Sequence, residues 1–243
     1  GKQESIPAKP VPDDGSTPVI PRASSISFKN VSFSYEGEFY VLRDVSFEIK
    51  AGEKTLLIGP TGSGKTTILH LINGNYQTYT GTILIGNTPV NQIDRWQLCR
   101  MIVHITQESV FFSGSVYENI SLFTADKNEK AIRIWQENFR DILPSLDMRV
   151  IEDGKNLTSS QRKVISFLRL FFCNPSIIMV DEITALLPEK TAVRMYQIIY
   201  EHFPEKTTII VTHTPALVPF YTSIFHVYDG KVTRIEKISD ITI

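Results

Sequence analysis

Cysteine is nearly missing. Cys99 and Cys173 are the only two in 243 residues, and no C-x-x-C pair occurs. That excludes a disulfide framework and fits a reducing cytosolic setting. Strong charge of one sign is missing too. A net charge of -1 gives no basis for non-specific binding to nucleic acid or an anionic membrane. No uninterrupted apolar run reaches spanning length. The start shows no signal-peptide pattern, so a membrane-spanning part would have to lie elsewhere. There is no internal repeat.

What is present is an ordinary globular balance, 42% apolar and 21% charged, which excludes a mostly disordered chain. Pro7, Pro10, Pro12, Pro18 and Pro21 crowd the first 24 residues among Asp, Ser and Gly. This composition reads as an extended linker over 1–24, or equally as an ordinary frayed terminus. From Ser25 the segments "SISFKNVSFSY" and "LRDVSFEI" alternate polar and apolar, as half-buried antiparallel strands do. "KTLLIG", "RMIVHIT", "SIIMVDE" and "TTIIVTH" are short continuous apolar runs suited to buried parallel strands. Helices are expected from about Gly64 to Asn73-Gly74, from about Ser160 to Cys173 ahead of Pro175, and with Pro188 in the first turn of another. Helical spacing at Ile132, Trp135 and Phe139 marks one more. Hairpins are expected at Gly86-Asn87 and Asp229-Gly230. The fold class that follows is α/β, with a mostly parallel core and an antiparallel layer.

"GPTGSGKT" matches G-x-x-x-x-G-K-[ST] over Gly59, Pro60, Thr61, Gly62, Ser63, Gly64, Lys65 and Thr66. Glycines let the backbone approach phosphate oxygens, and successive N–H groups at a helix N-terminus face the anion. Lys65 is expected on the β- and γ-phosphates, the Thr66 hydroxyl on Mg²⁺, and Thr67 near the α-phosphate. The motif follows an apolar strand and opens a helix, as its mechanism requires.

Asp181 ends a buried strand, where an acidic side chain can join Mg²⁺, and Glu182 follows as a candidate general base for the attacking water. An Asp-Glu pair after a strand is by itself usually a helix-start carboxylate; the upstream phosphate loop favours catalysis. His213 is expected at the end of "TTIIVTH", where it could touch the γ-phosphate and hold Glu182. Gln107 ends "RMIVHITQ" and could ligate or sense the metal. Tyr35 could stack on a purine base, or serve only as a cross-strand partner.

In this order the pieces resemble the nucleotide-binding domain of ATP-binding cassette (ABC) transporters, from about Ser25 to Lys237. Gly59–Thr66 then corresponds to Walker A and "IIMVDE" to Walker B with the catalytic glutamate. Gln107 corresponds to the Q-loop, His213 to the switch histidine and Tyr35 to the A-loop aromatic. "FFSGSVYENI" and "EDGKNL" resemble the exporter branch. The resemblance implies a P-loop NTPase (RecA-like) core, an antiparallel β-subdomain and a helical subdomain over about 108–172 within a domain of 25–243. It also implies ATP and Mg²⁺ as ligands, with ATP rather than GTP a family inference. The implied setting is the cytoplasmic face of a membrane, with a transmembrane domain as partner. Two such domains would sandwich two ATP molecules head to tail.

Three departures stand out. Leu157-Thr158-Ser159-Ser160-Gln161 occupies the place of the family's L-S-G-G-Q signature, which faces the partner's γ-phosphate. Serine adds Cβ atoms and resists positive φ, so the signature is expected to be degenerate, against the alternative that Ser is an acceptable small substitute. After Glu182 the chain reads Thr184-Ala185-Leu186-Leu187-Pro188, without the family's aspartate. Only 36 residues separate Ile120 from Leu157, so the helical subdomain is expected to be trimmed. Intact Walker residues beside an altered signature suggest a heterodimeric exporter over a homodimer. Two other classes stay open: a soluble ABC ATPase of repair or translation, although no long heptad segment is visible, and a nucleotide-gated module that binds without turnover.

Overall fold

The computed structural model describes residues 21–37, 39–106, 109–124, 127–182 and 187–240. The linker expected over 1–24 therefore lies outside the described residues up to position 20, as do Gln107 and the stretch 183–186.

A four-stranded antiparallel sheet is built from β1 (Ile26–Ser34), β2 (Tyr40–Ile49), β4 (Thr80–Ile85) and the two-residue β5 (Thr88–Pro89), in the order β2-β1-β4-β5. A six-stranded sheet holds β3 (Lys54–Ile58), β6 (Ile102–Ile105), β9 (Ile177–Asp181), β10 (Thr207–Val211), β11 (Ser223–Tyr228) and β12 (Lys231–Ile235). Its order is β12-β11-β3-β10-β9-β6, with all neighbours parallel except the β11–β12 hairpin. A short pair joins β7 (Gly114–Ser115) to β8 (Arg149–Val150).

The apolar runs are continuous because both faces of the central sheet are covered. Leu56, Ile58, Ile178, Val180 and Ile210 face a core shared with α3 (Val116–Ser121), α4 (Glu129–Asn138), α5 (Ser159–Leu168) and α6 (Glu189–His202). Their neighbours Leu57, Ile177, Met179, Ile209 and Val211 face a second core, shared with the antiparallel sheet, α1 (Lys65–Ile72) and α2 (Arg95–Met101). Period-two alternation thus sends each strand's side chains into two different layers.

Most expected elements are present. α1 ends at Ile72 with Asn73 as its C-terminal cap, and Gly74 follows in the left-handed region (φ 67°). Both hairpins turn where expected, the second through Asp229 (φ 45°) and Gly230 (φ 71°). Four details differ. Arg100 and Met101 belong to α2, because Asp94 accepts the Trp96 and Gln97 amides and caps a helix that buries Leu98 and Met101. α5 is α-helical only to Leu168; residues 169–172 tighten into a 3₁₀ turn, and Cys173 is already extended two residues before Pro175. Pro188 is the residue preceding the first turn of α6 (φ -56°, ψ 137°). His213 lies two residues beyond the end of β10. In α4, Trp135 is buried with Ala131 and Ile134, and its indole N–H donates to Leu143 O at 2.7 Å.

Candidate functional site

The phosphate loop runs from the end of β3 to the start of α1 and needs its glycines. At Gly59 (φ 151°) an added Cβ would lie 2.1 Å from the Val227 carbonyl oxygen of β11. Gly62 (φ 78°) and Gly64 (φ 104°) also take left-handed torsions. Lys65 is buried, and its Nζ donates to the loop's own carbonyls, Gly59 O at 2.9 Å and Pro60 O at 2.8 Å. Burial lowers the Lys65 pKa, opposed by the nearby Glu182 and Asp181 charges. Ser63 Oγ is buried without a hydrogen-bond partner.

Two of the expected metal ligands, Thr66 and Asp181, meet. Thr66 Oγ1 donates to Asp181 Oδ2 at 3.1 Å across the gap between α1 and β9. Burial raises the Asp181 pKa, opposed by the Thr66 hydrogen bond and by the His70 and Lys65 charges. A desolvated carboxylate beside a hydroxyl is a set of hard oxygen donors, and a divalent cation would offset the burial of that charge. The residues present therefore fit Mg²⁺. Gln107, the third expected ligand, lies outside the described residues.

Glu182 and His213 are also brought together, with His213 Nε2 2.7 Å from Glu182 Oε1. The backbone at Glu182 is unusual for a non-glycine residue, with φ 49°. Its N–H donates to Val211 O at 3.0 Å. Its carbonyl accepts from Lys163 Nζ at 2.7 Å. Lys163 was not among the residues singled out from sequence. The available signal was its place four residues before Phe167 on the buried stripe of α5, where an apolar residue belongs.

Tyr35 follows the end of β1 and is half exposed, with its hydroxyl 2.8 Å from Thr67 Oγ1. Its ring stands edge-on to Phe33 and Tyr76, with centroids 5.0 and 5.4 Å away. Tyr35 thus lies beside the start of α1, one residue past the last paired position of β1.

Leu157-Thr158-Ser159-Ser160-Gln161 forms the start of α5. Thr158 is the cap: its Oγ1 accepts the Gln161 amide at 3.2 Å, and Gln161 Oε1 accepts the Thr158 amide at 3.0 Å. Gln161 Nε2 also donates to Ile142 O at 3.2 Å, tying the segment to the helical layer. Neither serine has positive φ. The expectation that glycine is needed here for backbone torsion is thus overturned, because the two positions are the first residues of an ordinary helix. What separates Ser from Gly at this point is the space their Cβ and Oγ atoms occupy.

One neighbouring pair adds a pH response. His104 on β6 and His70 on α1 have ring centroids 6.3 Å apart, and His104 Nε2 and His70 Nδ1 are buried without hydrogen-bond partners. Burial, with a smaller effect of His70, lowers the His104 pKa to about 4. The unfolded chain binds this proton from about pH 6.5, so the contribution of His104 is fully present above that pH and is lost as pH falls toward 4. Between pH 7 and 4.5 the expected loss is about 2 kcal/mol. Urea unfolding at the two pH values should show His104→Gln losing correspondingly less than the parent.

The model of the ABC transporter family matches residues 42–185. Over 194 residues the chain is 34% identical to the uncharacterized ABC transporter ATP-binding protein YknV of Bacillus subtilis, covering 77% of this chain and 32% of that protein. Over 227 residues it is 29% identical to the microcin-J25 export ATP-binding/permease protein McjD of Escherichia coli, covering 91% of this chain and 39% of that protein. Its fold is similar to that of a bacterial Atm1-family ABC exporter with ATP bound, at TM-score 0.82 and 24% identity, covering 95% of this chain and 41% of that one. The chain thus spans a third to two fifths of the length of these relatives. No helix among the described residues is long and apolar enough to cross a membrane.

Proposed function

The chain belongs to the ABC transporter family, and from that premise we propose that it is the ATP-hydrolysing motor of a membrane exporter. It would work at the cytoplasmic face of the membrane against a transmembrane partner domain. The observation that carries this reading is the convergence of Glu182 and His213, 2.7 Å apart, beside the Lys65–Thr66 loop. A module that only bound nucleotide would have no need of a carboxylate–imidazole pair at that place.

In this mechanism Gly59–Thr66 wraps the phosphates with backbone N–H groups, and Lys65 leaves its loop carbonyls for the β- and γ-phosphates. Thr67 touches the α-phosphate, and Tyr35 offers its exposed ring to the base. Mg²⁺, held by Thr66 and Asp181 with Gln107 as a further ligand, would neutralise developing phosphate charge. Glu182 polarises the attacking water, and His213 fixes the direction of its carboxylate.

Leu157–Gln161 would face the ATP of a second nucleotide-binding domain. The Cβ and Oγ atoms of Ser159 and Ser160 crowd that approach, which supports a heterodimer in which the partner supplies an intact signature to this chain's Walker residues. Ordinary helical torsions at Ser159 and Ser160 favour a second arrangement, a homodimer in which serine is tolerated. ATP-dependent dimerisation by light scattering separates the two. In the Glu182→Gln background, the native signature is expected to leave the chain monomeric with ATP and Mg²⁺, while Ser159→Gly plus Ser160→Gly gives a dimer. Equal dimerisation by both forms would establish the homodimer.

A further inference from the structure

Lys163 is 3% exposed, on the second turn of α5, and its ammonium donates to the carbonyl oxygen of Glu182 at 2.7 Å. Lysine is rarely this buried without a partner of opposite charge or a task. Burial lowers its pKa, and the Asp181 and Glu182 charges oppose that. What it grips is a backbone with left-handed torsions (φ 49°), a strained state for a non-glycine residue that persists only where its surroundings over-determine it. The Glu182 N–H is held by Val211 O of β10, and its carboxylate meets His213. The carbonyl is the remaining backbone polar group, and Lys163 holds it from another element.

That element matters. Lys163 lies one helical turn beyond Ser159, so α5 carries the signature on its first turn and the clamp on Glu182 on its second. We propose that Lys163 is a positioning residue for hydrolysis, which fixes the backbone of Glu182 and couples the signature end of α5 to the carboxylate of the same chain. A shift of α5 when its N-terminus meets a partner's nucleotide would then move Lys163 Nζ and re-aim Glu182. Each site would be informed of the occupancy of the other through one helix and one hydrogen bond. This rests on the reading of Glu182 as the general base.

The test is steady-state ATP turnover of the purified chain, with Mg²⁺ and with the second nucleotide-binding domain where a heteromeric partner is needed. The variants are Lys163→Met, Lys163→Arg, Glu182→Gln and the Lys163→Met/Glu182→Gln double. Lys163→Met keeps the stem and replaces a buried charge by an apolar group, so its melting temperature is expected to be equal to or above the parent's. Its kcat is expected to fall about ten-fold or more with KM for ATP within about two-fold, and Lys163→Arg should recover much of the loss. The double variant should be no slower than Glu182→Gln alone, since Lys163 acts through Glu182. A kcat for Lys163→Met within about two-fold of the parent, or losses that multiply in the double, would overturn the proposal. If Glu182→Gln itself turns over like the parent, the base assignment fails instead.

Amide hydrogen exchange reads the same clamp without turnover. The Glu182 amide should exchange about ten-fold faster in Lys163→Met while Ile177–Val180 stay protected. Unchanged protection at Glu182 would count against the clamp.

Discussion

Glu182→Gln is expected to lower ATP turnover by about 10²–10⁴-fold while ATP affinity stays within about two-fold. The substitution is nearly isosteric, so the shape of the site survives. Oε1 can still pair with His213, and the backbone bonds to Val211 and Lys163 do not involve the side chain. Lost is the capacity to accept a proton or polarise water, which acts on the transition state and not on bound ATP. The measurement is phosphate release under saturating ATP beside a direct ATP titration. Unchanged kcat would remove Glu182 from the reaction, and a large rise in dissociation constant would make it a binding residue instead.

Gly59→Ala is expected to lower stability by about 3 kcal/mol or more and to abolish ATP binding in whatever folds. The added methyl would lie 2.1 Å from Val227 O and 3.0 Å from Ser63 Oγ. Val227 is part of β11, paired to β12 in the sheet, so its carbonyl cannot retreat like the end of a flexible side chain. The strain is carried into the loop that must close on phosphate. For a domain of this size the melting temperature should fall by about 6–12 °C, read by thermal denaturation with and without ATP. The parent should be raised by ATP through binding linkage, and Gly59→Ala should not. A variant with normal melting and normal ATP response would mean that β11 yields more easily than this packing implies.

Much of the fold was legible because the strongest signals are local. Continuous apolar runs in β3, β9 and β10, the alternation in β1 and β2, and turn residues such as Gly86 and Asp229-Gly230 carry their structural meaning within a few residues. α2 was obscured because its buried face is short, Leu98 and Met101, and runs straight into the apolar β6. The end of α5 was overestimated because Pro175 marks where a helix cannot continue, not where it stops. The backbone path at the signature serines was out of reach of the sequence for a related reason. Residue type states which torsions are costly, but only the chain's path shows whether such torsions are needed, and α5 needs none at Ser159 or Ser160.

The sequence by itself determined the chemistry that is written in contiguous residues: the phosphate loop Gly59–Thr66, the strand ending in Asp181-Glu182, the α/β class and the resemblance to an ABC domain. Only the tertiary structure decided what distant segments do to one another. Thr66 meets Asp181 across 115 positions, Tyr35 meets Thr67 across 32, and Lys163 takes hold of the Glu182 carbonyl across 19. The physical reason is that a hydrogen bond or a buried charge depends on distances of a few ångströms, which sheet order and helix packing set. A lysine on the apolar face of a helix looks like an error in the sequence pattern until the fold places a strained carbonyl in front of it.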